Sequence, residues 1–175
     1  ATEDSPALKV LLEAEQAALR ARKLTDQLMT FARGGGLVKE TASLVDLVRD
    51  TAVFNLRGSR SKADLSELQA DLWPVEMDRG QMSQVVGNLV LNADQAMPEG
   101  GNVAISGQNI LENEERWVKL EIRDQGHGIE PEVMPKIFDP YFSTRDHGSG
   151  LGLAVCYSVV EKHGGRISVE SEPEK

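Results

Sequence analysis

The sequence DRGQMSQVVGNLVLNADQAM, residues 78–97, carries the most regular amphipathic pattern in the chain. Asp78 stands where a helix N-cap is expected, with Gln81 three residues on as its capping-box partner. Pro98-Glu99-Gly100-Gly101 then stops the pattern. The stretch therefore predicts a core-facing helix. Its apolar side chains recur at spacings of three and four: Met82, Val85, Val86, Leu89, Val90, Ala93, Ala96 and Met97.

The opposite face of this helix carries uncharged amides where a solvated face normally carries Lys, Glu and Arg. Asn is a weaker helix former than those residues, so two Asn residues four apart need another reason. An amide oxygen can coordinate Mg²⁺, and an amide nitrogen can donate to a phosphate. A plain polar face, or a hydrogen bond between helices, explains the stripe equally well. Its members are Gln81, Gln84, Asn88, Asn92 and Gln95.

Downstream of the helix, alternating apolar residues predict two strands, about 102–109 and 116–123, joined as an antiparallel hairpin near Asn113. Asp124-Gln125-Gly126-His127-Gly128 follows the second strand directly. Two glycines make a tight turn against which a flat ring can lie, while the carboxylate can accept a hydrogen bond from an exocyclic amine. Asp and Gly favour turns in any protein, so a plain turn is the simpler interpretation of this motif alone.

A second glycine-rich stretch, Gly148-Ser149-Gly150-Leu151-Gly152-Leu153, opens a predicted helix that ends at His163-Gly164-Gly165. Glycines let backbone N–H groups approach phosphate oxygens, and a helix N-terminus attracts negative charge. A flexible loop is the alternative, and P-loop spacing is absent because no Gly-Lys-Ser/Thr follows. A short helix near Pro131 precedes this stretch, and a strand from 166 to 171 follows the helix.

The rest of the chain predicts a helix from about Ser43 to Leu56, one or two short strands within 58–77, and a long helix from about 7 to 33. The long helix has a narrow, Ala-rich seam typical of a coiled-coil or antiparallel partner. Gly34-Gly35-Gly36 serves as a linker, which divides the chain into residues 1–36 and 37–175. Helices and antiparallel strands in this order favour an α+β fold, a two-layer sandwich in which helices cover one face of a mixed sheet.

The composition narrows the class of function. A net charge of −9 disfavours nucleic-acid and anionic-membrane partners, because both reward clustered Lys and Arg. The single cysteine cannot form an internal disulfide, which favours a reducing compartment. No run of 18 apolar residues occurs, so we expect a cytoplasmic fragment and leave open a membrane anchor elsewhere in its parent protein.

The order of these motifs resembles the histidine-kinase branch of the ATPase superfamily shared with Hsp90, DNA gyrase and MutL. Gln84 to Ala96 resembles the N box of that family, and Asp124 to Gly128 its first glycine box. Residues 137–145, IFDPYFSTR, resemble the F box, and 148–153 the second glycine box. The resemblance covers about residues 37 to 172 and implies a Bergerat-type fold that binds ATP with Mg²⁺.

The resemblance also implies roles for single residues. Asn92 is the expected Mg²⁺ ligand, and Asn88 is expected beside the phosphates, so both are candidate catalytic residues. Asp124 is expected to bind the adenine amine, in a pocket shaped by Gly126 and Gly128. The remaining candidates are the phosphate-flanking Gly148, Gly150, Leu151 and Gly152, the phosphate-reaching Arg145, and the lid anchors Phe138 and Phe142.

Two departures from the family pattern qualify this expectation. Only Asp146 and His147 separate Arg145 from Gly148, which is a very short lid, and relatives usually continue past Lys175. The helix from 7 to 33 resembles the second helix of the dimerisation and phosphoacceptor hairpin, but none of His127, His147 and His163 lies in an acceptor-like setting. We therefore expect a fragment of a homodimeric kinase that binds ATP without phosphorylating itself. Its partners would be that hairpin and the receiver domain of a response regulator.

Competing functions differ at one position. ATP-hydrolysing relatives such as gyrase and MutL need a carboxylate to activate water where this chain has Asn88, and an amide cannot act as a base. A serine-phosphorylating relative fits less well because of the helix from 7 to 33. A nucleotide-sensing module without phosphotransfer uses the same residues and stays open.

Overall fold

The computed structural model describes residues 8, 10–12, 14, 15, 18, 25, 37–145 and 148–173. The chain divides into two compact units, Ala1–Gly35 and Gly36–Lys175. The described positions of the first unit are helical and exposed, but most of the helix predicted from 7 to 33 lies outside the described residues. Within the part of the chain that is described, no helix is long and apolar enough to cross a membrane.

The second unit is an α+β fold with a mixed sheet, as predicted. Its elements are β1 (Glu40–Ala42), α1 (Leu44–Asn55), β2 (Lys62–Asp64), β3 (Val75–Met77), α2 (Arg79–Ala96), β4 (Asn102–Glu112), β5 (Glu115–Arg123) and α3 (Gly152–Lys162). A three-stranded sheet has the order β2-β4-β5, in which β2 is parallel and β5 antiparallel to the central β4. A separate antiparallel pair joins β1 to β3.

Helices α1 and α2 begin at side-chain caps that the sequence supplies. The Asp78 carboxylate accepts a hydrogen bond from the Gln81 backbone N–H at 3.1 Å, which confirms Asp78 as the cap of α2. The other half of the predicted capping box is wrong, because the Asp78 N–H donates to His163 Nε2 at 2.9 Å and not to the Gln81 side chain. Ser43 Oγ accepts from the Asp46 N–H at 3.4 Å and caps α1. Each cap satisfies one of the N–H groups that a helix leaves unpaired at its first turn.

The core lies between α1, α2 and the sheet. Apolar residues of α2 pack on α1 and on β4, and leave the amide stripe on another face of the helix. The side chains that solvent does not reach at all within this cluster are Val48, Ala52, Met77, Val86, Val90 and Val103. Burying such side chains stabilises the packing of the helices on the sheet, at about 25 cal/mol per Å² of apolar surface.

The β4–β5 hairpin extends further than predicted and turns over Asn113 and Glu114, which have φ of 50° and 68°. Near its tip, two tryptophans lie under arginine side chains. The Arg116 guanidinium carbon is 5.2 Å from the Trp73 ring centre, and that of Arg166 is 5.0 Å from the Trp117 ring centre. Such cation–π contacts cover aromatic surface that would otherwise face water.

Two predicted elements differ in the structure. Near Pro131 only a 3₁₀ turn forms, Met134–Lys136, because Pro135 lacks the N–H that a longer helix would need. Residues 166–171 keep a strand-like alternation, with Ile167 and Val169 half-buried, but they form no strand among the described residues. The pattern predicted which side chains are buried but not the pairing of the backbone.

Candidate functional site

Helix α3 lies antiparallel along the first half of α2. Its start meets the middle of α2, where the Asn88 Nδ2 donates to the Gly152 carbonyl at 3.3 Å. One turn further, the Cys156 thiol donates to the Val85 carbonyl at 3.7 Å. At its end, His163 Nε2 accepts from the Asp78 N–H at 2.9 Å. The second glycine stretch is therefore held directly against the amide-bearing helix.

The amide stripe changes its surroundings along α2. Asn88 is buried, with 8 % of its surface exposed, and its amide makes the contact between helices that the sequence left as an alternative. Asn92 is half-buried one turn on, and Gln95 is exposed. Gln81 and Gln84 are half-buried as well, so Asn88 is the one buried amide of the stripe, and Asn92 and Gln95 are the accessible amides beyond the start of α3.

The Asp124 loop rests on the C-terminal end of α2. Asp124 is exposed, and its Oδ1 accepts from the Gly126 N–H at 2.9 Å, which closes the turn. A Cβ on Gly126 would lie 2.5 Å from the Ala96 Cβ, so only glycine lets the loop approach the helix. Because Ala96 is one turn beyond Asn92, the loop and the accessible amides lie at the same end of α2.

Gly128 continues that loop with φ of +73° and packs on the backbone of Glu172. The sequence therefore brings residues near the described C-terminus against the first glycine motif. Ile129 N–H donates to the Ser171 hydroxyl at 2.9 Å, which strengthens the same contact.

The segment between the two glycine motifs is tied to both helices. The Tyr141 N–H donates to the Gly150 carbonyl at 3.0 Å, and Gly150 has φ of +64°. A Cβ at Gly150 would clash with the Tyr141 backbone. Phe138 is half-buried, with its ring centre 5.5 Å from that of Tyr157 on α3. These contacts bring the predicted F box to the start of α3.

Arg145 reaches back to α2. Its Nη1 donates to the Gln95 side chain, and its Nη2 to the Asn92 carbonyl at 3.5 Å. The predicted residues that lie on α2 or on segments in contact with it are Asn88, Asn92, Asp124, Gly126, Arg145, Gly150 and Gly152. Leu151 is 2 % exposed and packs inward, whereas Gly148 is exposed and Phe142 half-buried.

The candidate site combines the uncharged amides of α2 with one carboxylate, Asp124, and one guanidinium, Arg145. Among the described residues, no cluster of three or more His, Cys, Asp or Glu could hold a metal ion. A divalent cation bound here would therefore draw on amide oxygens and on the oxygens of its ligand. Burial raises the pKa of the nearby Cys156 thiol to about 12, so this sulfur stays protonated and takes no part in ionic chemistry.

Of the three histidines, His163 has a structural contact that the sequence did not predict. Its Nε2 accepts from Asp78, so its Nδ1, 2.7 Å from the Val159 carbonyl, carries the proton and donates. His127 is exposed, with Nδ1 2.8 Å from the Gly128 carbonyl, and His147 lies outside the described residues.

Two further residues support the site without having been predicted as part of it. Met97 was predicted as core, but its sulfur also accepts from the Gln125 N–H at 3.4 Å. Tyr141 has φ of +67°, which a non-glycine residue adopts rarely. The only sequence signals were the position of Met97 just after the helix and that of Tyr141 after Pro140.

Comparison with known proteins identifies the family. The model of the histidine kinase-, DNA gyrase B- and HSP90-like ATPases matches residues 77–175. The sensor kinase CckA of Brucella abortus is 35 % identical over 181 residues, covering 95 % of this chain and 19 % of that protein. The signal transduction histidine-protein kinase AtoS of Escherichia coli is 35 % identical over 153 residues, covering 86 % of this chain and 25 % of that protein.

A solved structure agrees with these relatives. The mycobacterial sensor histidine kinase MprB superposes with a TM-score of 0.63 at 30 % identity, covering 73 % of this chain and 81 % of that one. The chain spans about a quarter or less of the two curated relatives named above. It belongs to the family of histidine kinase-, DNA gyrase B- and HSP90-like ATPases, as an ATP-binding catalytic domain of the sensor histidine kinase type.

Proposed function

We propose that this chain binds ATP together with Mg²⁺ and presents the γ-phosphoryl group for transfer to a histidine on a dimerisation hairpin. The phosphoryl group then passes to an aspartate of a response-regulator receiver domain. The observation that carries this proposal is the convergence on α2. Buried Asn88 bonds Gly152 at the start of α3, while the Asp124 loop and Arg145 reach the later turns of the same helix.

In this proposal the adenine amine donates to the Asp124 carboxylate. The turn is closed by the bond from the Gly126 N–H to Oδ1, so the carboxylate is held still while its remaining lone pairs are free to accept. Gly126 keeps the loop against the end of α2, and Gly128 keeps it against the backbone of Glu172, so the carboxylate has a fixed place from which to meet the base. Loop and helix then hold the base in one orientation before any phosphate contact forms.

The phosphates lie toward Asn92, Arg145 and the start of α3. Asn92 supplies an amide oxygen, which is the hard ligand type that Mg²⁺ accepts, and the described residues offer no carboxylate cluster that would bind the ion alone. A Mg²⁺ ion held there would neutralise negative charge on the phosphates. Arg145, which bonds Gln95 in the free chain, turns its guanidinium to a phosphate oxygen.

The residues of this chain act by positioning and by excluding hydrolysis. A neutral imidazole is already a nucleophile, so the transfer needs no base from this domain, only an aligned phosphoryl group. At the position where hydrolysing relatives carry a carboxylate, Asn88 offers an amide that cannot take a proton from water. Its burial and its bond to Gly152 keep that amide in place.

Calorimetric titration of ATP, with and without Mg²⁺, tests the binding half of the proposal. The wild-type chain is expected to bind in the micromolar to sub-millimolar range, and Asp124→Asn is expected to abolish binding. Asn keeps the acceptor oxygen for the Gly126 N–H but loses the charge, so the turn survives while adenine recognition does not.

Asp64→Asn is the matched control for this substitution. Like Asp124, Asp64 stands where a strand ends, and its carboxylate accepts a hydrogen bond from the N–H two residues on, that of Ser66, at 3.0 Å. It belongs to β2, however, and not to the loop that follows β5. ATP binding should be unchanged in this variant. Equal affinity of wild type and Asp124→Asn would contradict the adenine assignment.

Phosphotransfer is tested separately by adding a dimerisation hairpin that carries an acceptor histidine, together with ATP labelled on the γ-phosphate. Label is expected on the hairpin and not on this chain. A chain that binds ATP but never labels the hairpin would be a nucleotide-sensing module, and the kinase half of the proposal would be wrong.

A further inference from the structure

Met97 occupies an unusual position for a core methionine. It ends α2 as the C-cap residue, with its N–H donating to the Asp94 carbonyl at 3.0 Å and its carbonyl accepting from Gly100 at 2.9 Å. Only 6 % of its surface is exposed. The backbone of Met97 is therefore fixed on both sides, and its side chain has little freedom.

The sulfur of Met97 is enclosed by two backbone segments. The Gln125 N–H donates to Sδ at 3.4 Å. A Cβ on Gly101 would lie 2.5 Å from Sδ, so the absence of a side chain there makes room for the sulfur. Gly101 is itself held, because its carbonyl accepts from the Lys62 N–H at 2.9 Å at the start of β2.

Gln125 directly follows Asp124, so the contact of its N–H with the sulfur acts next to the carboxylate. A thioether is a weak acceptor, but this sulfur belongs to a side chain that is almost wholly buried, whereas Gln125 itself is exposed. The contact with the sulfur thus helps to set the distance between the loop and the C-terminal end of α2. It thereby also sets the position of the Asp124 carboxylate relative to Asn92.

We propose that Met97 is a positioning residue for nucleotide recognition, because its sulfur holds the Asp124 loop through the Gln125 N–H. This inference rests on the proposed function, since it assumes that Asp124 contacts the adenine. It assigns to Met97 a role that core packing alone does not require.

The test compares Met97→Leu with wild type in the 175-residue chain. Leucine keeps an apolar side chain of similar volume but offers no acceptor. The Kd for ATP is expected to rise about three- to tenfold, the effect of one modest hydrogen bond. The Kd for ADP should rise by the same factor, because the loop holds the base and not the phosphates. Amide exchange at Gln125 should become faster.

Met77→Leu is the matched control. Met77 is fully buried in the same core cluster but ends β3 and not α2, so its substitution should change stability without changing the Kd or the exchange at Gln125. Gly101→Ala gives a second variant that leaves Met97 intact. Its new Cβ would push the sulfur away from Gln125 and should weaken both nucleotides in the same way.

The outcomes are distinguishable. If wild type binds ATP, and Met97→Leu and Gly101→Ala bind it equally well with unchanged exchange at Gln125, the inference is wrong and the proposed function stands. If the affinity loss in Met97→Leu is matched by Met77→Leu, the role is packing alone and the inference is again wrong. If wild type binds no ATP, the proposed function fails, and the nucleotide role of Met97 fails with it.

Discussion

The contact between α2 and α3 buries one cysteine, Cys156. It is fully buried between α2 and α3, and burial raises the pKa of its thiol to about 12. A disulfide reagent needs the thiolate, so the native chain should react with it only as fast as it unfolds. A stopped-flow assay with and without denaturant measures this, and rapid reaction of the native chain would contradict the packing of α3 on α2.

The same thiol predicts a dependence of stability on pH. The unfolded thiol ionises near its ordinary value of 9.0, whereas the native thiol does not until about 12. Above pH 9 the unfolded state therefore binds fewer protons than the native state, and the contribution of this group to stability falls by up to about 1.4 kcal/mol per pH unit. The difference between wild type and Cys156→Ala in urea unfolding isolates the effect; a difference independent of pH would rule it out.

Gly150 and Gly58 form a matched pair of glycines with positive φ, +64° and +82°. Gly58→Ala should cost only the backbone strain, about 1 kcal/mol, because nothing lies within 4 Å of its Cβ position. Gly150→Ala should cost clearly more and also weaken ATP binding, since its Cβ would clash with Tyr141. Urea denaturation and calorimetry measure both, and equal losses in the two variants would argue against the tie between Tyr141 and Gly150.

The sequence could predict those candidate site residues that stand out by their type and spacing. Asn88 and Asn92 were identified because Asn is out of place in a helix interior. The contact of Met97 sulfur with Gln125 was not, because it joins residues 28 positions apart through an acceptor that no motif specifies. The pairing of Asp78 with His163, 85 positions apart, was missed for the same reason.

At the scale of elements, α2 depends on its first turn. Asp78 caps it, and the Asp78 N–H is itself satisfied by His163 at the end of α3. Asp78→Ala should lower the free energy of unfolding by about 1 kcal/mol or more. The loss from Ser43→Ala at α1 should be smaller, because that capping bond is long, 3.4 Å, and exposed. Urea unfolding of both variants compares the two losses of unfolding free energy. A larger loss for Ser43→Ala would contradict the expectation that the Asp78 cap is the stronger one.

Elements with a long, regular pattern were predicted well, and short ones were not. The eighteen residues of α2 and the β4–β5 hairpin carry enough periodic side chains to reveal their faces. The 3₁₀ turn at Met134–Lys136 spans three residues, too few for a period to appear. For residues 166–171 the alternation of burial was visible, but strand pairing depends on a neighbouring backbone that the local sequence does not describe.

At the scale of the whole molecule, both core clusters lie within Gly36–Lys175. A chain beginning at residue 37 should therefore keep its thermal midpoint and bind ATP with an affinity within about twofold of the full chain, a difference below 0.5 kcal/mol. Calorimetry on both chains checks this. A shortened chain that unfolds or loses affinity would mean that the first unit contributes to the fold or to the site.

The fold class was predictable because mixed strands and amphipathic helices in this order have few ways to bury their apolar faces. The functions predicted for residues 1–36 and 37–175 remain predictions, since the first unit is described at only a few positions. The sequence could not predict which distant residues contact one another, because such contacts depend on the three-dimensional arrangement. Arg145 and Gln95, 50 positions apart, are an example.

The two tryptophans of the chain both lie near the hairpin tip, stacked beneath Arg116 and Arg166. Trp117 is about 23 Å along the extended strand from Asp124, at 3.3 Å per residue. Intrinsic tryptophan fluorescence therefore reports on the end of the sheet away from Asp124, and it should change little when nucleotide binds. Emission that changes on unfolding but not on titration with ATP is the expected optical behaviour of this domain, and binding assays need a label or a fluorescent nucleotide instead.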